Sequence, residues 1–404
     1  MTVETYHSIC QWLRALTHGT QWEGHVYAVG GCCRDEVMGR EINDIDLAVD
    51  LENGGVEFAR WLHSNGHTTT APTVFERYGT AMLNLREWPG HEIEIVQTRR
   101  GKYTAENATD PGSVFGTIAD DARRRDFTVN SLFYNISSGE LLDLTGHGLD
   151  DIAAHRLRTP MDAALTFYDD PVRILRCIRM ACAWRWKIDT PTITAMRQGI
   201  AGLKAIKPER RRAEFEKMLT GPDPARALGL LRSTGAMRFL VPELENCYRI
   251  PPPGDSQHSL WEQALRAVQS TPADADASVK YAALMHVFAH FVTKARRNSD
   301  PNNQHAERAI AAARIAEAAL RRLKYHGQFV KETTFLVRNH NSMATWGTNA
   351  EFVKDRNLTR LKHLCVTDRR LERLLTVIHA INVSAPQPLA KPHQIPLIRQ
   401  RLNS

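Results

Sequence analysis

Residues 29–47 read VGGCCRDEVMGREINDIDL, and the folding of this stretch decides the architecture of the chain. Tyr27-Ala28-Val29 reads as a short buried strand, and Gly30-Gly31 permits a tight turn with close backbone approach to a ligand. Cys32 to Met38 then reads as a helix ended by Gly39, which sets backbone N–H groups and Arg34 where phosphates would lie. Asp44 and Asp46 follow, one residue apart, ahead of Leu47-Ala48-Val49. Residues i and i+2 of a strand share a face, so the two carboxylates can aim at one point. A pair of this kind holds Mg²⁺ beside a nucleoside triphosphate, and paired metals promote in-line displacement at phosphorus. Read alone, the aspartates could equally close a surface turn. Together with the glycine turn they point to nucleotidyl transfer. No GxxxxGK[ST] loop occurs, which disfavours an ATPase.

Working outward, the 404 residues suffice for two to four compact units, and 43% apolar with 24% charged residues is ordinary for a globular protein. No run of eighteen apolar residues is present, and MTVETYHSICQWLRAL lacks the pattern of a signal peptide; Ile9, Trp12, Leu13 and Leu16 instead suggest a packed leading helix. Seven irregularly spaced cysteines give neither a disulfide framework nor a C-x-x-C metal pattern, so the chain reads as cytoplasmic. The net charge of +7 is uneven. Residues 301–404 hold 17 Lys and Arg against 7 Asp and Glu, in stretches such as LRRLKYHGQFVK and DRRLERLL. Solvated helix faces are the commoner fate of such runs, yet the imbalance leans toward a polyanion partner.

HVYAVGG, DIDLAVD, GTAMLNLRE and HEIEIVQT read as strands around a helix at 55–65, a small α/β sheet. Residues 99–118 read as a long connection, followed by a helix from about Asp120 that leads into RRRDFTVNSLFYN. After about residue 150 the pattern is almost wholly helical, punctuated at TGPDP (220–224) and IPPPGDS (250–256). The expected class is α+β: a head at 1–150 with its leading helix at 1–24, then a helical neck at 151–222, a body at 223–330 and a basic tail at 331–404.

A second segment, YDDPVRILRCIRM (168–180), opens a helix with Asp170 as cap and Pro171 at the first turn. Arg173, Arg176 and Arg179 recur every three residues and share a face; in register they repel one another unless anions compensate.

GG-x-x-RD, a glycine, then D-x-D resembles the first signature of the class II tRNA nucleotidyltransferase and bacterial poly(A) polymerase family. D-P-x-R-x-L-R-x-x-R resembles that family's nucleotide-selecting helix, and RRRDFTVN (123–130) its RRDFT-[IV]-N signature. The resemblance implies a polymerase-β-like palm as the head. It implies metal-holding catalytic carboxylates at Asp44 and Asp46, and a nucleotide site of Gly31, Arg34, Arg125, Asp170, Arg173, Arg176 and Arg179. Asp170 and Arg173 would act as a protein template. Arginine donates to the acceptors of cytosine or adenine, and aspartate accepts from the amino group both bases carry. Asp126 and Asn130 would order the neck–head junction, while Glu209 and Arg210 would support the selecting helix. Implied substrates are CTP, ATP and the tRNA 3′ end, with Mg²⁺ as cofactor, pyrophosphate as product and no obligate protein partner.

Glu92 and Glu94 lie i, i+2 on HEIEIVQT and are left out of the metal site. TVFERYGTAMLNL is closer to the ERFGT pattern of CCA-adding members than to the basic patch of poly(A) polymerases. A poly(A) polymerase, a partial CC- or A-adding enzyme and an inactive tRNA-binding relative stay open as alternatives. Residues 257–340 keep the outline of a His-Asp phosphohydrolase module, but Gln263 stands at its first histidine and the pair reads His286-Val287. His286 and His290 stand i, i+4, and no phosphohydrolase activity is expected.

Overall fold

The computed structural model describes residues 1–100, 114–251, 258–291, 301–341, 355–384 and 398–399. It divides into two compact units, one of residues 1–173 and 186–199, the other of 174–185 and 200–404.

The first unit opens with α1 (Val3–Thr17), capped by the Thr2 hydroxyl accepting from the Thr5 N–H. Tyr6, Ile9, Cys10, Leu13 and Thr17 form its buried stripe, with Trp12 set edge-on to Trp88. There follow β1 (Val26–Val29), α2 (Gly31–Val37), β2 (Ile45–Val49), α3 (Gly54–Ser64), β3 (Thr73–Phe75), β4 (Thr80–Asn84), β5 (Glu92–Gln97), α4 (Ile118–Arg124), β6 (Leu132–Asn135), β7 (Leu141–Asp143), α5 (Gly148–Ala153), β8 (Arg156–Leu157) and α6 (Ala163–Asp169). α7 (Val172–Trp184) leads onward, before β9 (Lys187–Ile188) and α8 (Thr190–Gly199). The main sheet has the order β3-β4-β5-β2-β1-β6-β7, and β8 pairs with β9 apart from it.

β2 and β5 pair parallel, the chain between them running through α3, β3 and β4, while the other pairs of this sheet are antiparallel. Alternation along β2 and β5 gives the sheet two buried faces. Leu47, Val49, Ile93 and Ile95 point one way, and α3 packs on these strands through Val56, Phe58, Ala59 and Leu62. On the other face Tyr27, Val29, Ala48 and Phe133 pack with Val96 against Ala122 and Ile118 of α4.

The expected strands and the helix at 55–65 stand within one to three residues of the observed elements, GTAMLNLRE overrunning β4 at its end. β3, β6 and β7 complete the sheet. The ends of the 99–118 connection zip together, Arg99 bridging Phe115 and the Arg100 N–H donating to the Val114 carbonyl at 3.0 Å; residues 101–113 lie outside the described residues.

The second unit is helical: α9 (Pro208–Leu219), α10 (Pro224–Thr234), α11 (Leu260–Gln269), α12 (Ala277–Met285), α13 (Pro301–Arg322), α14 (Gly327–Asn339), α15 (Asp355–Cys365) and α16 (Asp368–Ser384). TGPDP is the break between α9 and α10, where Asp223 caps and Pro224 takes the first turn. Ser259 and Glu262 form a capping box on α11. IPPPGDS falls largely outside the described residues. Several arginines of the last quarter engage carboxylates within this unit: Arg322 with Glu243, Arg370 with Glu332, Arg373 with Asp276. Part of the positive charge of the last quarter is therefore neutralised internally.

Candidate active site

β1 ends at Gly30, whose φ of 76° and ψ of −118° suit glycine alone. A Cβ there would also stand 2.8 Å from the Arg125 Nη1. Gly31 has ordinary room, the nearest atom being the Arg34 Nη2 at 3.7 Å. Of the two glycines, Gly30 is the one the backbone requires, and Gly31 opens α2. Arg34 lies along the helix with its guanidinium in a two-point grip on Asp35 (2.9 and 2.7 Å) and its Nη1 donating to the Asn130 side-chain oxygen at 2.5 Å. Asn130 in turn donates to Asp126 at 2.9 Å.

Asp46 is the second residue of β2 and half-buried; Asp44, exposed, stands just before the strand. Ile45 between them is buried, so the two aspartates fall on the opposite face, shared with Ala48. Because β1 runs antiparallel to β2, the glycine turn lies at the same end of the sheet as the aspartates. The parallel register sets Glu94 directly beside Asp46, a neighbour that the sequence reading left out. The pairing partner of β5, and hence that adjacency, is not written in the local pattern. Among the described residues no three His, Cys, Asp or Glu side chains form a group able to hold a metal ion. Two carboxylates are nonetheless the donor set that Mg²⁺ takes when substrate phosphates and water complete its shell, so Asp44 and Asp46 fit that ion.

Arg125 follows α4 directly. Its Nε donates to the Asp121 carboxylate at 3.0 Å, its guanidinium lies 5.0 Å from the Phe133 ring centroid, and its Nη1 reaches the Asn130 carbonyl at 3.4 Å. Asp121 also receives Arg124. Burial alone would raise the Asp121 pKa, but the Arg124 and Arg125 charges outweigh it and hold the carboxyl below the usual carboxylate range.

Asp170 caps α7, its carboxylate accepting the Val172 N–H at 3.2 Å. Arg173 is almost enclosed. Its Nη1 donates to the Thr166 carbonyl at 3.2 Å and its Nη2 to the Arg124 carbonyl at 2.7 Å, with Asp169 at 3.2 Å. Arg173 is thereby joined to the arginine cluster at the end of α4, which reaches the glycine turn through Arg125. Further along α7, Arg176 is half-buried, and Arg179 donates to Glu214 of α9 at 2.6 Å within the second unit. Ile174, Leu175, Cys177 and Ile178 supply the buried side of the helix. Glu209 and Arg210 are exposed at the start of α9, and one helical turn later Glu214 accepts from Arg179 of α7.

In the second unit, His286 opens the 3₁₀ segment His286–Phe291, where i, i+4 residues do not share a face as on an α-helix. Its Nδ1 is 2.7 Å from the Ala283 carbonyl, and its Nε2 is buried without a hydrogen-bond partner among the described residues. Its ring centroid lies 5.8 Å from that of His340. Burial, with His340 and His290 nearby, lowers its pKa to about 3.

Parts of the chain are similar to known proteins. Residues 26–158 match the Poly A polymerase head domain, and residues 186–248 match the probable RNA and SrmB-binding site of polymerase A. Curated proteins carrying similar sequence include the mitochondrial CCA tRNA nucleotidyltransferase of Saccharomyces cerevisiae, 37% identical over 50% of this chain and 40% of its own length. The CCA-adding enzyme of Limosilactobacillus reuteri is 33% identical over 54% of this chain and 51% of its own. Poly(A) polymerase I of Haemophilus influenzae is 30% identical over 54% and 48%. The chain thus spans about half or less of the length of these relatives. Among solved structures, the Bacillus stearothermophilus CCA-adding enzyme in complex with CTP superposes with a TM-score of 0.66 at 21% identity, over 100% of this chain and 83% of that one. The Thermotoga maritima CCA-adding enzyme complexed with tRNA gives 0.66 at 18% identity, over 99% and 83%. A head built on a mixed sheet, followed by a helical remainder, is the fold these structures share with the chain.

Proposed function

We propose that the chain is a CCA-adding tRNA nucleotidyltransferase, which builds or repairs the 3′-terminal CCA of tRNA from CTP and ATP and releases pyrophosphate. The observation that carries the reading is the meeting of the glycine turn, Asp44, Asp46 and Arg125 at one end of a poly(A) polymerase head sheet. Names and titles of relatives that cite CCA addition, CTP and tRNA support the choice of reaction.

Enzymes of this family use a divalent metal, and we assign Mg²⁺ here, held by Asp44 and Asp46. When bound, the ion supplies Lewis acidity and charge neutralisation at the reacting phosphate. The chain's own residues do the rest. The Gly31 backbone N–H and Arg34 cradle phosphate oxygens, and Arg125 neutralises charge beside the turn. Asp170 and Arg173 read the Watson–Crick edge. A carboxylate facing the 4-amino group of cytosine or the 6-amino group of adenine accepts a hydrogen bond, and the carbonyl of uracil or guanine would be repelled. Arg176 and Arg179 lie farther along the same helix, where Arg179 is held by Glu214. The seven buried thiols suit a reducing compartment, here taken as the cytoplasm, although the yeast relative is named mitochondrial.

The test is incubation with tRNA lacking CCA, Mg²⁺ and single labelled nucleotides. CTP then ATP incorporation that stops at CCA supports the proposal. Long A-tails would make the chain a poly(A) polymerase, truncated products a partial enzyme, and no product an inactive tRNA binder. Asp44→Ala is expected to lower incorporation at least ~10²–10³-fold while sparing tRNA binding; retained activity refutes the metal assignment.

A further inference from the structure

We propose that Asp121 is a positioning residue of the nucleotide site, setting Arg124 and Arg125 before substrate arrives; this rests on the nucleotidyltransferase reading above. Asp121 has no exposed surface and sits one turn before the end of α4. One of its oxygens accepts from the Arg124 Nε and Nη2 (2.8 and 2.5 Å) and from the Arg99 backbone N–H at 3.1 Å. The other accepts from Arg125, with Nε and Nη2 both at 3.0 Å. A single buried carboxylate therefore ties Arg99, two residues past β5, to two consecutive arginines at the end of α4.

The reach of that clasp is what makes it functional. From its anchor on Asp121, Arg125 runs to within 2.8 Å of the place a Cβ on Gly30 would occupy. The carbonyl of Arg124 carries the Arg173 Nη2 at 2.7 Å. One side chain thus fixes both the cation beside the glycine turn and the support of the base-reading arginine. The cluster is also short of negative charge. Arg99 lies near Arg124 and Arg125, its Nε is buried without a hydrogen-bond partner among the described residues, and burial with the Arg124 charge lowers its pKa. Two guanidiniums, Arg124 and Arg125, share the one carboxylate, and they leave a positive charge that a nucleoside triphosphate would balance. Loss of the carboxylate would leave the arginines to repel one another, and Arg125 would lose the two-point grip that aims it.

The experiment compares the full chain with Asp121→Asn, Asp121→Glu and the double variant Asp121→Asn/Arg99→Met. CTP binding is measured by equilibrium dialysis per folded molecule, with nucleotide KM, kcat and thermal midpoint alongside. Asp121→Asn is expected to weaken CTP binding and raise KM about tenfold to a hundredfold with little change in kcat, since charge-assisted hydrogen bonds are lost. The double variant is expected to recover thermal midpoint by relieving repulsion yet keep the raised KM, which separates aim from folding. Asp121→Glu keeps the charge but displaces it by a methylene, so it should fold and show an intermediate KM; it decides the matter if Asp121→Asn does not fold. Wild-type CTP affinity in Asp121→Asn or Asp121→Glu, or recovery of affinity together with thermal midpoint in the double variant, overturns the proposal. If the wild type binds CTP but extends no tRNA, the reaction assignment fails while the dialysis comparison still judges Asp121.

Discussion

Gly30→Ala tests whether the turn and Arg125 are one device. At φ 76° and ψ −118° the position lies outside the left-handed well that alanine tolerates, a strain of about 1–3 kcal/mol. The added methyl would also stand 2.8 Å from the Arg125 Nη1, so the guanidinium must move and its long 3.4 Å hydrogen bond to the Asn130 carbonyl is lost. That loss adds roughly 1 kcal/mol, for a total of about 2–4 kcal/mol. For a domain of this size each kcal/mol lowers the midpoint by about 2–4 °C, hence a fall of roughly 4–16 °C. Gly31→Ala is the internal control. Gly31 has no positive φ, its methyl would meet the Arg34 Nη2 at an ordinary 3.7 Å, and alanine favours the first turn of a helix by about 0.5–1 kcal/mol. Differential scanning fluorimetry and CTP dialysis on both variants read the outcome. Gly30→Ala should melt lower and bind CTP more weakly, and Gly31→Ala should melt at or slightly above the wild type. If the two variants melt alike, or Gly30→Ala leaves both readings unchanged, the coupling between turn and arginine is wrong.

Glu214→Ala strands the Arg179 guanidinium between α7 and α9 and is expected to destabilise the second unit by roughly 1–3 kcal/mol, read by urea denaturation. Removing both charges with Arg179→Met/Glu214→Leu should cost less. His286, with its folded pKa depressed to about 3 by burial, stays neutral in the folded chain while the unfolded chain takes up a proton near pH 6.5. Its contribution is full above pH 6.5 and is lost as pH falls toward 3, so His286→Phe should flatten the acid limb of the stability profile between those values. Glu94→Gln should weaken Mg²⁺-dependent incorporation more than Glu92→Gln, because only Glu94 pairs in register with Asp46; equal effects in a Mg²⁺ titration would refute a role for that adjacency.

The features legible in the sequence were those that depend on neighbours within a few residues. The glycine turn, the i, i+2 aspartates, the α7 cap and the arginines every third residue are local patterns, and β1, β2, β4, β5 and α3 followed from apolar alternation. β6 was hidden in RRRDFTVNSLFYN because its four residues carry little period of their own; antiparallel pairing with β1 is what makes them a strand. Glu94 needed the register of two strands distant in the chain, and Asp121 needed its arginine partners to be seen closing over it. Glu214 lies 35 residues beyond Arg179. The i, i+4 spacing of His286 and His290 assumed an α-helix where the chain winds as 3₁₀.

The path of the chain from β2 to β5 also explains why the site stands where it does. Parallel pairing of β2 and β5 brings the beginnings of both strands to one end of the sheet, so Asp46 and Glu94 become neighbours there. β1, running against β2, delivers its C-terminal glycine turn to that same end. α4 covers the face at Ala48 and Val96, one period farther along each strand, so the apolar core closes beside the carboxylates. From the end of α4, Arg125 reaches back to the turn. Had β5 paired antiparallel to β2, its start would lie at the far end and Asp46 would face the closing half of the strand. The path from β2 through α3, β3 and β4 therefore sets the acidic neighbourhood, and the buried carboxylate of Asp121 sets the cation that faces it.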